Sequence, residues 1–251
     1  NLIREAANRG IYHYFIFTQP KKVKMFEGLN FVEIARAEPY AAVLESGMGS
    51  IDSFCANIAQ QAQRLPAGPR AGIVVNCNPF TLGHRSLIEK AAAHMPVIVF
   101  VVQEDASLFP FEVRLQLVRQ GLADLENVVV VAGGKYIISE ATFPAYFTRE
   151  EDLVAAQTRL DVTVFGAKIA PKLNIVKRFA GEEPYCKVTE AYNEAMQDIL
   201  PGYGVQVEII KRTGTGSGEI ISASKVRECI RTNDFDALQQ LVPPSTLNYL
   251  K

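Results

Sequence analysis

The sequence predicts an α/β fold in which helices flank a parallel sheet. From Arg70 onward, short runs of apolar, often β-branched residues alternate with stretches whose apolar residues recur every three or four positions. This alternation is typical of βαβ units. The chain has 251 residues, of which 48% are hydrophobic and 21% charged, so it is long enough to bury a core of its own.

The composition excludes several classes of function. Lys and Arg total 26 against 27 Asp and Glu, so the net charge is −1 and we expect neither a nucleic-acid nor a membrane partner. The four cysteines are widely spaced and only three histidines occur, which argues against a dedicated metal site. We find no signal peptide and expect a cytoplasmic protein. Because the chain starts with Asn1 rather than Met, we also expect further sequence upstream.

The first 69 residues are predicted to form two parts. In residues 1–46, helices are expected at 2–9 and 21–28, and strands at 11–18, 31–34 and 41–44. The first strand is almost continuously apolar, which predicts burial on both faces. A segment this short cannot close a core, so it is interpreted as the second half of a domain. Residues 47–69 are interpreted as a connecting amphipathic helix at 51–65 and a Pro-containing linker.

Residues 70–251 are predicted to contain the parallel sheet. Strands are expected at 71–77, 97–102, 128–131, 162–165 (with 178–180 as the alternative) and 205–210. Helices are expected at 84–95, 111–122, 149–160, 188–199 and 222–231. Ligands of such sheets bind beyond the carboxyl ends of the strands, near the point where strand order reverses. This rule indicates the loop after the first of these strands, residues 76–84.

That loop reads Asn-Cys-Asn-Pro-Phe-Thr-Leu-Gly-His and leads directly into a helix. A helix N-terminus presents unpaired N–H groups and a partial positive charge, so it suits a phosphate. Gly83 would let the backbone approach a ligand closely, and Thr81 and His84 would add a hydroxyl and an imidazole. The alternative is an ordinary Asn-Pro turn with Thr81 as the N-cap and His84 on the surface.

A second candidate lies at residues 220–227, Ile-Ile-Ser-Ala-Ser-Lys-Val-Arg. Ser222 can cap the helix, Ser224 can bind phosphate oxygens, and Arg227, one turn later, can supply a guanidinium fork. The alternative is an ordinary Ser-capped helix with a solvated arginine. A third candidate, residues 178–184, places Gly181 and Glu183 after the end of a strand; its alternative is an acidic surface turn.

The first two segments resemble the T/H-x-G-H and I-S-S-T-x-x-R signatures of the nucleotidylyltransferase superfamily. That resemblance implies a Rossmann-like fold with a parallel five-stranded sheet that binds ATP. It implies catalytic contacts to the triphosphate from Thr81, His84 and Arg227. The full set of residues expected at the nucleotide is Asn76, Asn78, Pro79, Phe80, Thr81, Gly83, His84, Gly181, Glu183, Ser222, Ser224 and Arg227.

Further stretches, among them residues 11–15, 139–147 and 192–196, resemble citrate lyase ligases. The resemblance implies that ATP and acetate form acetyl-adenylate and pyrophosphate. The thiol prosthetic group of the citrate lyase acyl carrier subunit then takes the acetyl group and releases AMP. Mg²⁺ is expected to be carried mainly by the phosphates.

The division of the chain also follows from that resemblance. Residues 25–31 resemble an element late in the acetyltransferase-like (GNAT) α+β domain, so residues 1–46 are predicted to be its C-terminal half, ahead of a catalytic domain at 70–251. An adenylyltransferase for a phosphorylated acceptor such as phosphopantetheine remains the alternative function, because it would share the triphosphate site. A non-catalytic nucleotide-binding module is disfavoured by the intact motif residues.

Overall fold

The computed structural model describes residues 2–103, 107–139, 142–182, 187–211 and 220–251. The N-terminal elements are α1 (Leu2–Asn8), β1 (His13–Thr18), α2 (Val23–Glu27), β2 (Val32–Ala37), β3 (Ala41–Gly47) and α3 (Ile51–Gln61). They are followed by β4 (Arg70–Val75), α4 (Leu82–Ala92), β5 (Val97–Val101), α5 (Phe111–Gly121), β6 (Val128–Ala132), α6 (Leu153–Val164) and α7 (Ala170–Leu173). The last elements are β7 (Ile175–Gly181), α8 (Lys187–Ile199), β8 (Gln206–Ile210), α9 (Ala223–Arg231), α10 (Phe235–Leu241) and α11 (Pro244–Leu250).

The larger sheet has five strands in the order β6-β5-β4-β7-β8, and every neighbouring pair is parallel. The predicted α/β fold with a parallel five-stranded sheet is therefore confirmed. The chain runs outward from β4 to β6 and then returns to the other side of β4 with β7. Strand order consequently reverses between β4 and β7, and a ligand site is expected at their carboxyl ends.

The fourth strand is not where the sequence first placed it. The prediction of a strand at 162–165 is wrong, because these residues end α6 and begin a π-helical turn at Phe165–Ile169. The alternative at 178–180 is confirmed as part of β7. Val162 and Val164 are buried among other elements, so a β-branched apolar run here reflects a helix that is covered on several sides.

Successive residues of a strand face opposite sides of the sheet, and the core divides accordingly. Ile98 and Phe100 of β5 pack with α6, whereas Val97 and Val99 pack with Ile88 of α4. Helices α4 and α6 therefore lie on opposite faces of the sheet. Among the described helices, none combines the length and the apolar character that crossing a membrane requires.

The N-terminal strands form a separate antiparallel sheet in the order β1-β3-β2. The prediction that the first strand is buried on both faces is wrong: residues 13–17 are half-buried, because β1 is an edge strand of this sheet. Ile34 and Val43 of the sheet share a core cluster with Leu160 of α6. The acetyltransferase-like character of this segment and the proposed domain boundaries stay predictions.

A buried carboxylate connects the small sheet to the rest of the molecule. Glu45, 7% exposed, accepts hydrogen bonds from His13 Nε2 (3.0 Å), the Tyr136 hydroxyl (2.5 Å) and the Ile51 backbone N–H (3.0 Å). Its three partners belong to β1, to the loop after β6 and to the first turn of α3. Glu45 thus fixes these three elements relative to one another.

Candidate functional site

A cavity of about 750 Å³ opens at the carboxyl ends of β4 and β7, where strand order reverses. Its volume lies in the range of small-molecule sites, roughly 300–1,000 Å³. The predicted site residues that line it are Asn76, Thr81, Gly83, His84, Gly181, Ser222 and Ser224. The structure therefore brings residues from all three candidate segments to one cavity.

Thr81 and His84 form a capping box at the start of α4. The buried Thr81 hydroxyl accepts from the His84 backbone N–H (3.3 Å), and His84 Nδ1 accepts from the Thr81 backbone N–H (3.1 Å). A backbone N–H only donates, so Nδ1 must be the unprotonated nitrogen of the neutral ring. The proton of the neutral imidazole is consequently on Nε2, which makes that nitrogen a hydrogen-bond donor.

The start of α4 lies against the segment that leads into α9. A Cβ built on Gly83 would lie 3.1 Å from the Ile221 carbonyl oxygen, which is a tight contact. Ser222 caps α9 by accepting from the Lys225 backbone N–H (3.2 Å), as the sequence indicated. Glycine at 83 thus allows two helix N-termini, distant in the sequence, to meet at the cavity.

Arg227 connects the two segments that meet at this junction. Its Nη1 donates to the Asn78 carbonyl (2.6 Å) and its Nη2 donates to the Ser224 hydroxyl (2.9 Å). The guanidinium therefore bridges the loop after β4 and the first turn of α9. Arg227 is not among the described residues that line the cavity, so its predicted contact with a triphosphate stays a prediction.

Three other predicted residues shape the loop without being among the described lining residues. The Asn78 side chain accepts from the Phe109 backbone N–H (3.1 Å). Phe80 is fully buried, and its ring stacks on His84 with ring centroids 6.1 Å apart. Pro79 lies between Asn78 and Phe80 in the chain. Their contact with a nucleotide stays a prediction, and Glu183 lies outside the described residues.

Sequence reasoning missed Arg114, which organises the same loop. This fully buried side chain donates to the carbonyls of Asn76 (2.7 Å), Val102 (2.8 Å) and Phe109 (3.0 Å). It thereby joins the carboxyl ends of β4 and β5. The available signal was its position on α5, three residues after Phe111, on the helix face that the apolar residues occupy.

A second group of largely buried residues, most of them polar, lines the cavity from α6 and α8. We call Gln157, Asp161, Tyr192, Asn193 and Met196 the α6–α8 wall. Ile138 lies at its centre: the backbone N–H donates to Asp161 Oδ1 (2.6 Å), and the carbonyl accepts from the Tyr192 hydroxyl (2.8 Å). Burial raises the pKa of Asp161 to about 7, although the Ile138 N–H and neighbouring Arg178 favour its charged form.

Arg178 of β7 lies beside this wall and also lines the cavity. It is 6% exposed, and its guanidinium carbon lies 4.1 Å from the centre of the Phe165 ring. Burial lowers its pKa to about 10, while the neighbouring Asp161 and Tyr192 act in the opposite direction. Neither the wall nor Arg178 was among the site residues predicted from the sequence. Gln157 and Asp161, four residues apart and therefore on one face of a helix, were the available signal.

Within the described ranges, the structure contains no group of three or more His, Cys, Asp or Glu side chains suited to a metal ion. The cavity instead offers hydroxyls, an imidazole, backbone N–H groups and a buried guanidinium. These are donors that suit anionic ligands, phosphates above all.

The chain was compared with family models, curated proteins and solved structures. The family model for the citrate lyase ligase C-terminal domain matches residues 70–250. The [citrate (pro-3S)-lyase] ligase of Klebsiella pneumoniae is 37% identical over 254 residues, covering 99% of this chain and 74% of that protein. The corresponding ligase of Escherichia coli K12 is 36% identical over 256 residues, covering 100% of this chain and 72% of that protein. Among solved structures, Thermotoga maritima TmcAL bound with α-thio ATP is 14% identical with a TM-score of 0.46, over 73% of this chain and 55% of that one.

Proposed function

Because the chain belongs to the citrate lyase ligase family, we propose that it activates acetate with ATP and acetylates the acyl carrier subunit of citrate lyase. It is accordingly an acid–thiol ligase that forms AMP. The site residues, the use of Mg²⁺ and the partner surface are part of this proposal.

The observation that supports the proposal is the meeting of two helix N-termini at one cavity. The first turns of α4 and α9 present backbone N–H groups there, together with the side chains of His84 and Ser224. Helix N-termini carry partial positive charge and bind phosphate oxygens. We assign the α- and β-phosphates to the start of α4, and the β- and γ-phosphates to the start of α9.

In the first step, an acetate oxygen attacks the α-phosphorus of ATP. The bond from that phosphorus to the bridging oxygen breaks, and pyrophosphate leaves with the electron pair. Negative charge grows on the phosphate oxygens, so preorganised donors are the main requirement. His84 meets it with its Nε2–H, since Nδ1 already accepts from Thr81. Mg²⁺, when bound with ATP, would neutralise part of the phosphate charge; we assign it to phosphate oxygens and water.

In the second step, the carrier's thiol sulfur attacks the acetyl carbonyl carbon. The carbonyl carbon–oxygen bond to the phosphate breaks, AMP leaves, and the thiol proton is released to solvent. The protein's contribution to this step is positioning, because the activated acetyl group already has a good leaving group.

Pyrophosphate release from ATP tests the proposal when measured with acetate, with phosphopantetheine and with neither. We expect release that depends on acetate, and transfer of an acetyl group to the carrier that mass spectrometry detects. Release with phosphopantetheine but not with acetate would contradict the proposal and favour an adenylyltransferase instead.

A further inference from the structure

The buried guanidinium of Arg178 is incompletely matched by its surroundings. Within the described part of the chain, its Nε has no hydrogen-bond partner, although the residue is only 6% exposed. Its guanidinium stacks on the face of Phe165 and interacts electrostatically with Asp161 and Tyr192. A buried cation is costly unless a charged or hydrogen-bonding partner compensates it.

Asp161 compensates this charge only weakly. Burial raises the pKa of Asp161 to about 7, so the carboxyl carries only part of its negative charge at neutral pH. One Asp161 oxygen is also engaged by the Ile138 backbone N–H. The guanidinium therefore lacks a full charge partner among the described residues that it contacts, and an anion entering the cavity would supply one.

Arg178 lies on the face of the sheet opposite to α4, the first of the two helices whose starts line the cavity. Phe179, its neighbour on β7, packs in the core cluster that contains Ile88 of α4, whereas the Arg178 guanidinium lies over Phe165 in the cluster that contains Leu160 of α6. Since neighbouring strand residues face opposite sides of the sheet, Arg178 and α4 lie on opposite faces. Both nevertheless line the same cavity.

We propose that Arg178 binds the carboxylate of acetate, on the α6 face of the sheet edge, while the starts of α4 and α9 hold the triphosphate. This inference rests on the proposed function. Displacement at phosphorus places the attacking and leaving oxygens roughly in line. Arg178 on the acid and the start of α4 on the phosphates, on opposite faces of the sheet, match that requirement. The attack itself is the first step described above, and Arg178 takes no proton in it.

Arg178→Met and Arg178→Lys test this assignment through acetate-dependent pyrophosphate release and through binding of a non-hydrolysable ATP analogue. For Arg178→Met we expect the KM for acetate to rise about 10- to 100-fold, the effect of losing a charged hydrogen bond. Affinity for the ATP analogue should stay within about twofold. Arg178→Lys keeps the charge but loses the fork, so a smaller rise of about 3- to 10-fold is expected.

Lys177→Met is the matched control, because Lys177 precedes Arg178 on the strand and faces the other side. It pairs with Glu208 of β8 (2.5 Å) and is not among the described cavity residues. We expect its KM values for acetate and ATP to be unchanged. An equal rise in the acetate KM of this variant would overturn the assignment, since any cation lost from β7 would then have the same effect.

The outcomes separate this inference from the function on which it rests. If the wild-type chain shows no acetate-dependent release, the proposed function itself fails. If the wild type is active and both Arg178 variants keep its acetate KM, the acetate assignment fails alone. A parallel rise in the ATP and acetate KM values would likewise overturn it and assign Arg178 a structural role. Should Arg178→Met not fold, as judged by its melting curve, Arg178→Lys decides the question by the same criterion.

Discussion

Replacing Asp161 with asparagine is expected to change how the stability of the fold depends on pH. Asp161 is 3% exposed, and burial raises its pKa from 3.8 to about 7. Between these two pH values the carboxyl is ionised in the unfolded chain and protonated in the fold. Asp161 therefore favours folding below about pH 4, and this contribution is lost as pH rises to 7. An asparagine at this position would not titrate, so the variant should lack this trend.

The magnitude follows from the span of the shift. Each pH unit within the window changes the free energy of unfolding by about 1.4 kcal/mol. Between pH 5 and pH 8, only the two units from pH 5 to about pH 7 lie inside this window. Over them, the free energy of unfolding of the wild type should fall by about 3 kcal/mol relative to that of Asp161→Asn. The asparagine oxygen can still accept from the Ile138 N–H, so that hydrogen bond need not be lost.

Urea denaturation of both proteins at pH 5 and pH 8 measures this difference. We expect the variant to gain stability over the wild type as pH rises, whatever their order at pH 5. The other titrating groups are common to both chains, and Arg178, whose pKa responds to Asp161, titrates near 10, above this pH range. A stability difference that is the same at both pH values would refute the reasoning, because Asp161 would then ionise in the fold as it does in the unfolded chain.

Three further changes test the site and its support. His84→Ala removes a preorganised donor, so turnover should fall about 10²- to 10³-fold in the pyrophosphate assay, and an unchanged rate would remove His84 from the mechanism. Gly83→Ala gains helix propensity of up to about 1 kcal/mol but places a Cβ 3.1 Å from the Ile221 carbonyl oxygen. The two effects oppose each other, so the melting temperature should change little, while the displaced helix starts should raise the KM for ATP. An unchanged KM for ATP would mean that the two helix starts separate without cost. Glu45→Gln places an NH₂ donor among the three groups that donate to Glu45. Urea denaturation should therefore show a free energy of unfolding lower by about 1–3 kcal/mol. An unchanged free energy of unfolding would contradict this role of Glu45.

The motif-bearing half of the site was predictable because its signals are local. Thr81 and Ser222 read as N-caps in the sequence, and both cap helices in the structure. The strand pattern indicated the loop at 76–84 as a ligand site, and the resemblance of both segments to nucleotidylyltransferase signatures led to the expectation of one shared site. What could not be predicted is the support behind them: Arg227 bonding to the Asn78 carbonyl joins residues 149 positions apart.

The α6 face of the cavity was missed because its signals are nonlocal. Val162 and Val164 favour a strand by composition, and only their packing on several sides makes them helical. With a strand expected there, Asp161 could not be placed on a helix with Gln157. Arg178 was noticed as part of a strand end, but its burial against Phe165 depends on the π-helical turn, for which the sequence carries no local pattern.

The shared core between the small antiparallel sheet and α6 has a practical consequence for anyone shortening this protein. A fragment beginning at Arg70 would lack Ile34 and Val43, which pack in one core cluster with Leu160. It would also lack Glu45, whose carboxylate accepts the hydrogen bond of the Tyr136 hydroxyl. Tyr136 lies two residues before Ile138, which bonds to Asp161 and Tyr192. A change in the position of Tyr136 would therefore also displace the α6–α8 wall. Biochemical work on the ligase reaction therefore needs the N-terminal residues as well, even though all three segments proposed to bind the nucleotide lie after residue 70.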